Sequence, residues 1–305
     1  LNYELKQNKE KNMKTRHLLT IITMILALCL TMGTLTACNE SDDNPDSSPD
    51  FDFDASRRIA VFTREAGSGT RDAFASITGV GDDMYDEAAV FTAGGELRTA
   101  VAGNEYGIGY VSVGSLNDTV KALTIGGVMP SAATIVDGSY AIQRPFLIVT
   151  NDEKDNYSLV KDFIAFTLSA QGQECLGASW TSAGNTGDYT PIGISGTLRI
   201  GGSTSVAPLM QLMRTAYIEL NPGVSIEISE GGSGTGISEA TSGVIDIGMS
   251  SRNLRDNEKE DLNEYSIALD GVAVIVNTVN PINNMDIETV KDIFTGEKTA
   301  WSQVS

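Results

Sequence analysis

Residues 198–220 read LRIGGSTSVAPLMQLMRTAYIEL. Leu198–Ile200 is a short apolar run of strand length, and Gly201, Gly202, Ser203, Thr204 and Ser205 make a turn after it. Beyond the turn, Val206, Leu209, Met210, Met213, Tyr217 and Leu220 fall on one face of a helix. Their Met and aromatic stripe reads as core packing. The same strand, glycine-hydroxyl loop and helix recur twice. VSIEISEGGSGTGI (224–237) carries Gly231, Gly232, Ser233 and Gly234 ahead of a short helix expected over 237–241. IAVFTREAGSGTRDAF (59–74) carries Gly67, Ser68, Gly69 and Thr70 ahead of another helix start.

Around these units the alternation continues. Ile59–Thr63, Gly107–Val113, Tyr140–Thr150, Leu198–Ile200, Val224–Ser229, Val244–Gly248 and Ile267–Asn277 read as strands. Most are continuous apolar runs, suited to strands covered on both faces. Ser158–Ala170 adds a helix with Val160, Phe163 and Ile164 on one side. Alternating strands and helices give the α/β class with parallel or mixed sheets. Thr181–Gly196 (TSAGNTGDYTPIGISG) is a glycine- and hydroxyl-rich connecting loop.

Composition narrows the chemistry. The 305 residues, 41% hydrophobic, suffice for one large or two mid-sized domains. With 21 basic against 40 acidic side chains the formal charge is −19, which argues against a nucleic-acid partner. Residues 13–38 (MKTRHLLTIITMILALCLTMGTLTAC) have a basic start, an apolar run and a small-residue pair before cysteine, the layout of a secretory signal. The ending resembles a bacterial lipobox, so Cys38 is the expected lipidation site and membrane anchor, on the extracytoplasmic side. Met13 is the expected start, with residues 1–12 an over-extension. NESDDNPDSSPDFDFDAS (39–56) is acidic and poor in apolar groups; residues 38–56 read as a lipid-anchored disordered tether, with the globular part starting near Arg57.

The single histidine, His17, lies within that leader. Without it no Ser-His-Asp or Cys-His nucleophile and no histidine-bound zinc can be assembled. Cys175 is left alone and reads as a buried, inert thiol. No catalytic residue, metal or cofactor is expected. GxxxxGK[ST], GxGxxG and GxSxG are all missing from the three loops.

What the loops do offer is donors. Glycine lets the backbone approach a ligand, while hydroxyls and free N–H groups at a helix N-terminus point at one spot. One such loop is ordinary, since Ser and Thr cap helices everywhere. Three of them, with Arg64 four residues before Ser68, point to convergence on an anion.

At these residues the chain resembles the phosphate-binding proteins of bacterial phosphate ABC importers. The stretches that carry the resemblance are GGSTSVAPLM (201–210), EGGSGTGI (230–237), DIGMSSR (246–252), ALDGVAVIVN (268–277), IFTG (293–296) and REAGSGTRDAF (64–74). The resemblance implies a two-lobed periplasmic-binding-protein-like fold of type II, with inorganic phosphate held in the cleft between lobes. It implies permease subunits as partners and no enzyme activity. Thr204, Ser205, Ser233 and Gly234 would bind from one lobe, and Arg64, Ser68, Gly69 and Thr70 from the other. Ser251 stands where some family members place an aspartate that accepts the ligand's proton. Sulfate or another tetrahedral oxyanion, or phosphate sensing without transport, are the alternatives, and a phosphatase is disfavoured.

In the family REAGSGTRDAF follows IFTG, whereas here it opens the globular part, so the resemblance implies a circular permutant. A discontinuous lobe of 57–142 and 275–305 is then expected beside a continuous lobe of 143–274, with Tyr140–Thr150 and Ile267–Asn277 crossing between them. The start near Arg57 and the end near Val304 should lie close together.

Overall fold

The computed structural model describes residues 52–151 and 157–304, so the leader, Cys38 and most of the expected tether lie outside the described residues. Eleven strands and eight helices follow one another among them. The first part holds β1 (Ala60–Arg64), α1 (Gly69–Thr78), β2 (Ala89–Phe91), α2 (Gly94–Ala102), β3 (Gly107–Ser112), β4 (Lys121–Ala122), β5 (Thr124–Ile125) and α3 (Ala132–Val136). The middle holds β6 (Gln143–Thr150), α4 (Tyr157–Thr167), α5 (Ala170–Glu174), β7 (Gly196–Gly202), α6 (Ala207–Leu220), β8 (Val224–Glu230), α7 (Ser233–Ser242) and β9 (Ile247–Ser250). The last part holds β10 (Asn263–Val276), β11 (Asn284–Met285) and α8 (Ile287–Thr295).

One sheet runs β2-β1-β3-β10-β6-β9-β7-β8, with β4 on β10, and β5 pairs β11 separately. The middle of the sheet explains its shape. β10 spans 14 residues. Its Val272–Val276 portion pairs antiparallel with β3, while Asn263–Gly271 pairs antiparallel with β6. Parallel pairs lie to either side, β1 with β2 and β3, and β7 with β8 and β9. β10 therefore belongs to two half-sheets at once.

Each half-sheet has its own apolar core. Phe74, Tyr110, Val274, Phe294 and Trp301 pack in one. Phe146, Phe163, Leu198, Met213, Tyr217 and Ile267 pack in the other. Smaller clusters cover the opposite faces, around Leu97 and Val111 on one side and Val149 and Ile237 on the other. Coverage on both faces is what lets β3 and all of β6 beyond its first residues be continuously buried. Asp162 is buried in the second core and accepts from the Tyr189 and Tyr217 hydroxyls, both at 2.6 Å. Burial, then the bond to Asp162, pushes the Tyr189 phenol up to about 12.

Several boundaries differ from those expected. The folded part starts before Arg57: the Phe53 ring lies 5.1 Å from Tyr106 and 5.8 Å from Trp301. The helix expected over 158–170 ends at Thr167. There Ser169 caps a new helix, its hydroxyl accepting from Gly172 N–H at 3.2 Å. The helix after GGSGTG begins at Ser233, because the turn is complete at Gly232 and Ser233–Gly236 already form the first helical turn. The strand expected from Val244 starts at Ile247, and Val244 is exposed. Cys175 is free and half-buried, with burial pushing its thiol up.

The two ends of the described chain meet. Trp301 N–H donates to Arg57 O at 3.2 Å, Ile59 N–H to Thr299 O at 2.8 Å and Ser302 N–H to Ala55 O at 2.6 Å.

Candidate anion-binding site

β1 delivers Arg64 to its carboxyl end, where the side chain is 1% exposed. Its surroundings are fixed from below by Tyr110. The Tyr110 oxygen pairs with Thr63 Oγ1 at 2.7 Å and accepts from Arg64 N–H at 3.1 Å. Burial pushes that phenol up, so it stays neutral. The Arg64 guanidinium donates from Nε and Nη2 to the two Glu65 oxygens, each at 3.0 Å. Nη2 also reaches Thr92 O at 2.9 Å and Thr204 Oγ1 at 3.1 Å.

The next residues turn into α1. Ser68 is its N-cap, accepting from Arg71 N–H at 3.4 Å. Gly69 and Thr70 thus sit in the first helical turn, where N–H groups lack partners within the helix. Gly69 has to be glycine for a spatial reason: a Cβ there would lie 2.2 Å from Ser233 Oγ and 2.7 Å from Ser251 Oγ. Thr70 Oγ1 and Ser205 Oγ are 2.8 Å apart, and Gly234 N–H donates to Gly67 O at 3.0 Å.

The opposing loops are packed on each other as tightly. Gly202 has φ +130°, and a Cβ on it would meet Met249 O at 2.5 Å. That approach lets Ser203 Oγ donate to Ser251 Oγ at 3.0 Å, while Ser251 N–H donates to Ser233 Oγ at 3.0 Å. Ser203, Ser233 and Ser251 are buried. All the residues expected from the loops therefore lie in one cluster, with Arg64, Ser68, Gly69 and Thr70 facing Thr204, Ser205, Ser233, Gly234 and Ser251. A cavity of about 200 Å³ opens beside it, lined by Arg64, Thr70, Thr204 and Ser205 among others.

Size alone would direct attention elsewhere. A groove of about 520 Å³ runs past Asp72, Arg144, Arg252 and Arg255, and none of the expected loop residues lines it. Arg252 belongs to that groove. It holds Glu258 at 2.7 Å and Asp72 at 3.0 Å, so its charge is spent on carboxylates. The smaller cavity is the better binding candidate, because buried donors from both half-sheets converge on it.

Two features of the cluster escaped sequence reading. Glu65 neutralises Arg64, a pairing that adjacent residues in a strand end do not announce. The other is a buried ion pair between the crossing strands. Arg144 Nη2 on β6 reaches Asp270 Oδ2 on β10 at 2.9 Å. Arg144 Nη1 donates to Ser251 O at 3.3 Å, and Ser112 Oγ donates to Asp270 Oδ1 at 2.9 Å. Burial pushes the Asp270 carboxyl up, and Arg144 and Ser112 hold it down. The only available signal was a charged residue inside each of two apolar runs.

A buried array of hydroxyls, backbone N–H groups and one arginine, at two helix N-termini, is suited to holding an oxyanion. The family model described as the PBP superfamily domain matches residues 25–171 and 187–305. "Phosphate-binding protein PstS 2" of Streptococcus pneumoniae is 39% identical, over 96% of this chain and all of its own length. This chain belongs to the phosphate-binding-protein family of the PBP superfamily. The namesake from Streptococcus agalactiae is 38% identical over 90% of this chain and 94% of its own. A solved phosphate-binding protein of a phosphate ABC transporter from Streptococcus pneumoniae superposes with a TM-score of 0.68 at 39% identity, covering 82% of this chain and 100% of that one. The fold is accordingly the two-lobed α/β fold of the phosphate-binding-protein family.

Proposed function

We propose that the chain is the substrate-binding component of a phosphate ABC importer, capturing inorganic phosphate between its two half-sheets and presenting it to permease subunits. The observation that carries this reading is the meeting of Arg64 and α1 with the Thr204, Ser233 and Ser251 loops in one buried cluster. Neither half-sheet holds all the donors, so closing the halves on each other is what completes the set. Hydrogen bonds with one charged partner contribute ~1.5–3 kcal/mol each, enough in sum for micromolar binding. The cluster is equipped to bind and not to react. Glu65, the carboxylate beside it, is locked to Arg64.

Titration calorimetry should give one orthophosphate site of micromolar affinity or tighter. No heat, together with no thermal stabilisation by millimolar phosphate, would sink the proposal. The leader reading adds a lipid anchor at Cys38 on the extracytoplasmic face, and Cys38→Ser should move the protein out of the membrane fraction. Retention there would count against it. The motif order adds a circular permutation, supported by the hydrogen-bonded ends at Arg57 and Trp301.

A further inference from the structure

The charge balance of the anion cavity is unfinished. Arg64 is already matched by Glu65, both of whose carboxylate oxygens lie 3.0 Å from the guanidinium. Arg64 thus brings geometry and no net charge. Its Nη1 is claimed by no hydrogen bond among the described residues, and the Gly94 side of α2 approaches it, a Cβ there lying 3.8 Å away. One turn along α2 from Gly94 is Arg98, which lines the same cavity of about 200 Å³. Arg98 donates to the neutral carbonyl of Ser115, and no ion pair among the described residues involves it. Its charge is therefore uncompensated. The first turn of α2 has no side-chain cap at Ala93, so its N–H groups add positive potential at the same wall. The one carboxylate lining this cavity is Glu230, at the exposed end of β8.

We infer that Arg98 is the cation that balances the bound anion, with Glu230 opposing it as a negative rim that weakens capture of highly charged ligands. This rests on the phosphate reading above and deepens it. Arg64 orients the oxyanion, while Arg98 adds net positive charge at the wall of the cavity itself, which Arg71, bound to the Arg64 carbonyl, does not line. Arg98 lies in an ordinary amphipathic helix away from every motif, which is why the loops alone do not reveal it.

The test is phosphate calorimetry on the full chain at low and high salt. Arg98→Gln should weaken binding about tenfold or more and flatten its salt dependence, whereas Arg98→Lys should stay within about threefold of the parent. A Gln variant within about threefold of the parent, or a Lys variant falling as far as Gln, would overturn the inference. Should the Gln variant not fold, Glu230→Gln decides. Removal of that rim charge is expected to tighten binding about threefold at low salt, and unchanged affinity would place the anion elsewhere. If the parent gives no phosphate heat, the phosphate reading fails on its own, and the Arg98 series repeated with sulfate judges this inference separately.

Discussion

Ser251 shows how much one side chain can decide. It is fully buried, accepts from Ser203 and lies against Ser233. A hydroxyl there can accept a ligand's proton without repelling a ligand that has none to give. Sulfate should therefore compete measurably with phosphate. Ser251→Asp puts a carboxylate beside the ligand, where it accepts from a protonated oxygen and repels an unprotonated one, and should raise the phosphate-to-sulfate preference about tenfold or more. An unchanged ratio in competition calorimetry would remove Ser251 from the contact set. The positions of Thr204, Ser233, Ser68 and Thr70 were legible because their chemistry is local: hydroxyls in glycine turns before helices. Glu65, Arg144, Asp270 and Arg98 were not, because their meaning comes from partners brought together only by folding. Arg144 and Asp270 are 126 positions apart.

A titrating pair links residue and element. Arg252 holds Glu258 and keeps its carboxyl below the ordinary range, its own burial opposing this. A depressed carboxylate contributes stability that is present above its unfolded value, near 4.3, and is lost as pH falls through the folded one. Glu258→Gln should thus lower Tm at neutral pH and converge on the parent as pH falls through the lowered folded value. A constant difference across that range in melting scans would refute the assignment.

Elements meet here through glycine as much as through side chains. At Gly202 the backbone is both left-handed, at φ +130°, and within reach of Met249 O. Gly202→Ala combines backbone strain with a clash against a carbonyl, and should cost ~3 kcal/mol or more in denaturant unfolding. A loss under ~1 kcal/mol would mean that the β7 loop can relax without its neighbours. The strand and helix inventory was readable from apolar runs and 3.6-residue stripes, yet ends shifted where capping intervened. Ser169 cut one helix in two, and the turn at Gly232 let the next begin at Ser233. The early start of β10 had a plainer cause: Asn263 and Glu264 are exposed residues that pair with Thr150 and Val149, and no apolar pattern marks them.

For the whole molecule, the order of the motifs matters less than where they fold. If the chain is a permutant, opening it within 181–196 and joining Val304 to Arg57 by a short linker should leave one phosphate site of similar affinity and a cooperative melt. A rearranged protein that folds but exchanges halves as a dimer would refute that. Two lobes and a crossing segment at Ile267–Asn277 were implied by the family resemblance, while the register by which that strand pairs with both β3 and β6 became visible only in the fold.

The join at the ends has a mechanical side. Chain leading in from the N-terminal side passes Phe53, crosses the Arg58–Ala300 bridge and becomes β1, which terminates at Arg64 in the anion cluster. Tension on that lead would run straight down β1 to the guanidinium were it not gripped first by Trp301, Thr299 and Ala300. The closing segment acts as strain relief on a cable, bearing the load before it reaches the contacts. In a pulling experiment from the N-terminal side, the protein should hold phosphate until this grip shears, and Trp301→Ala should release it at lower force.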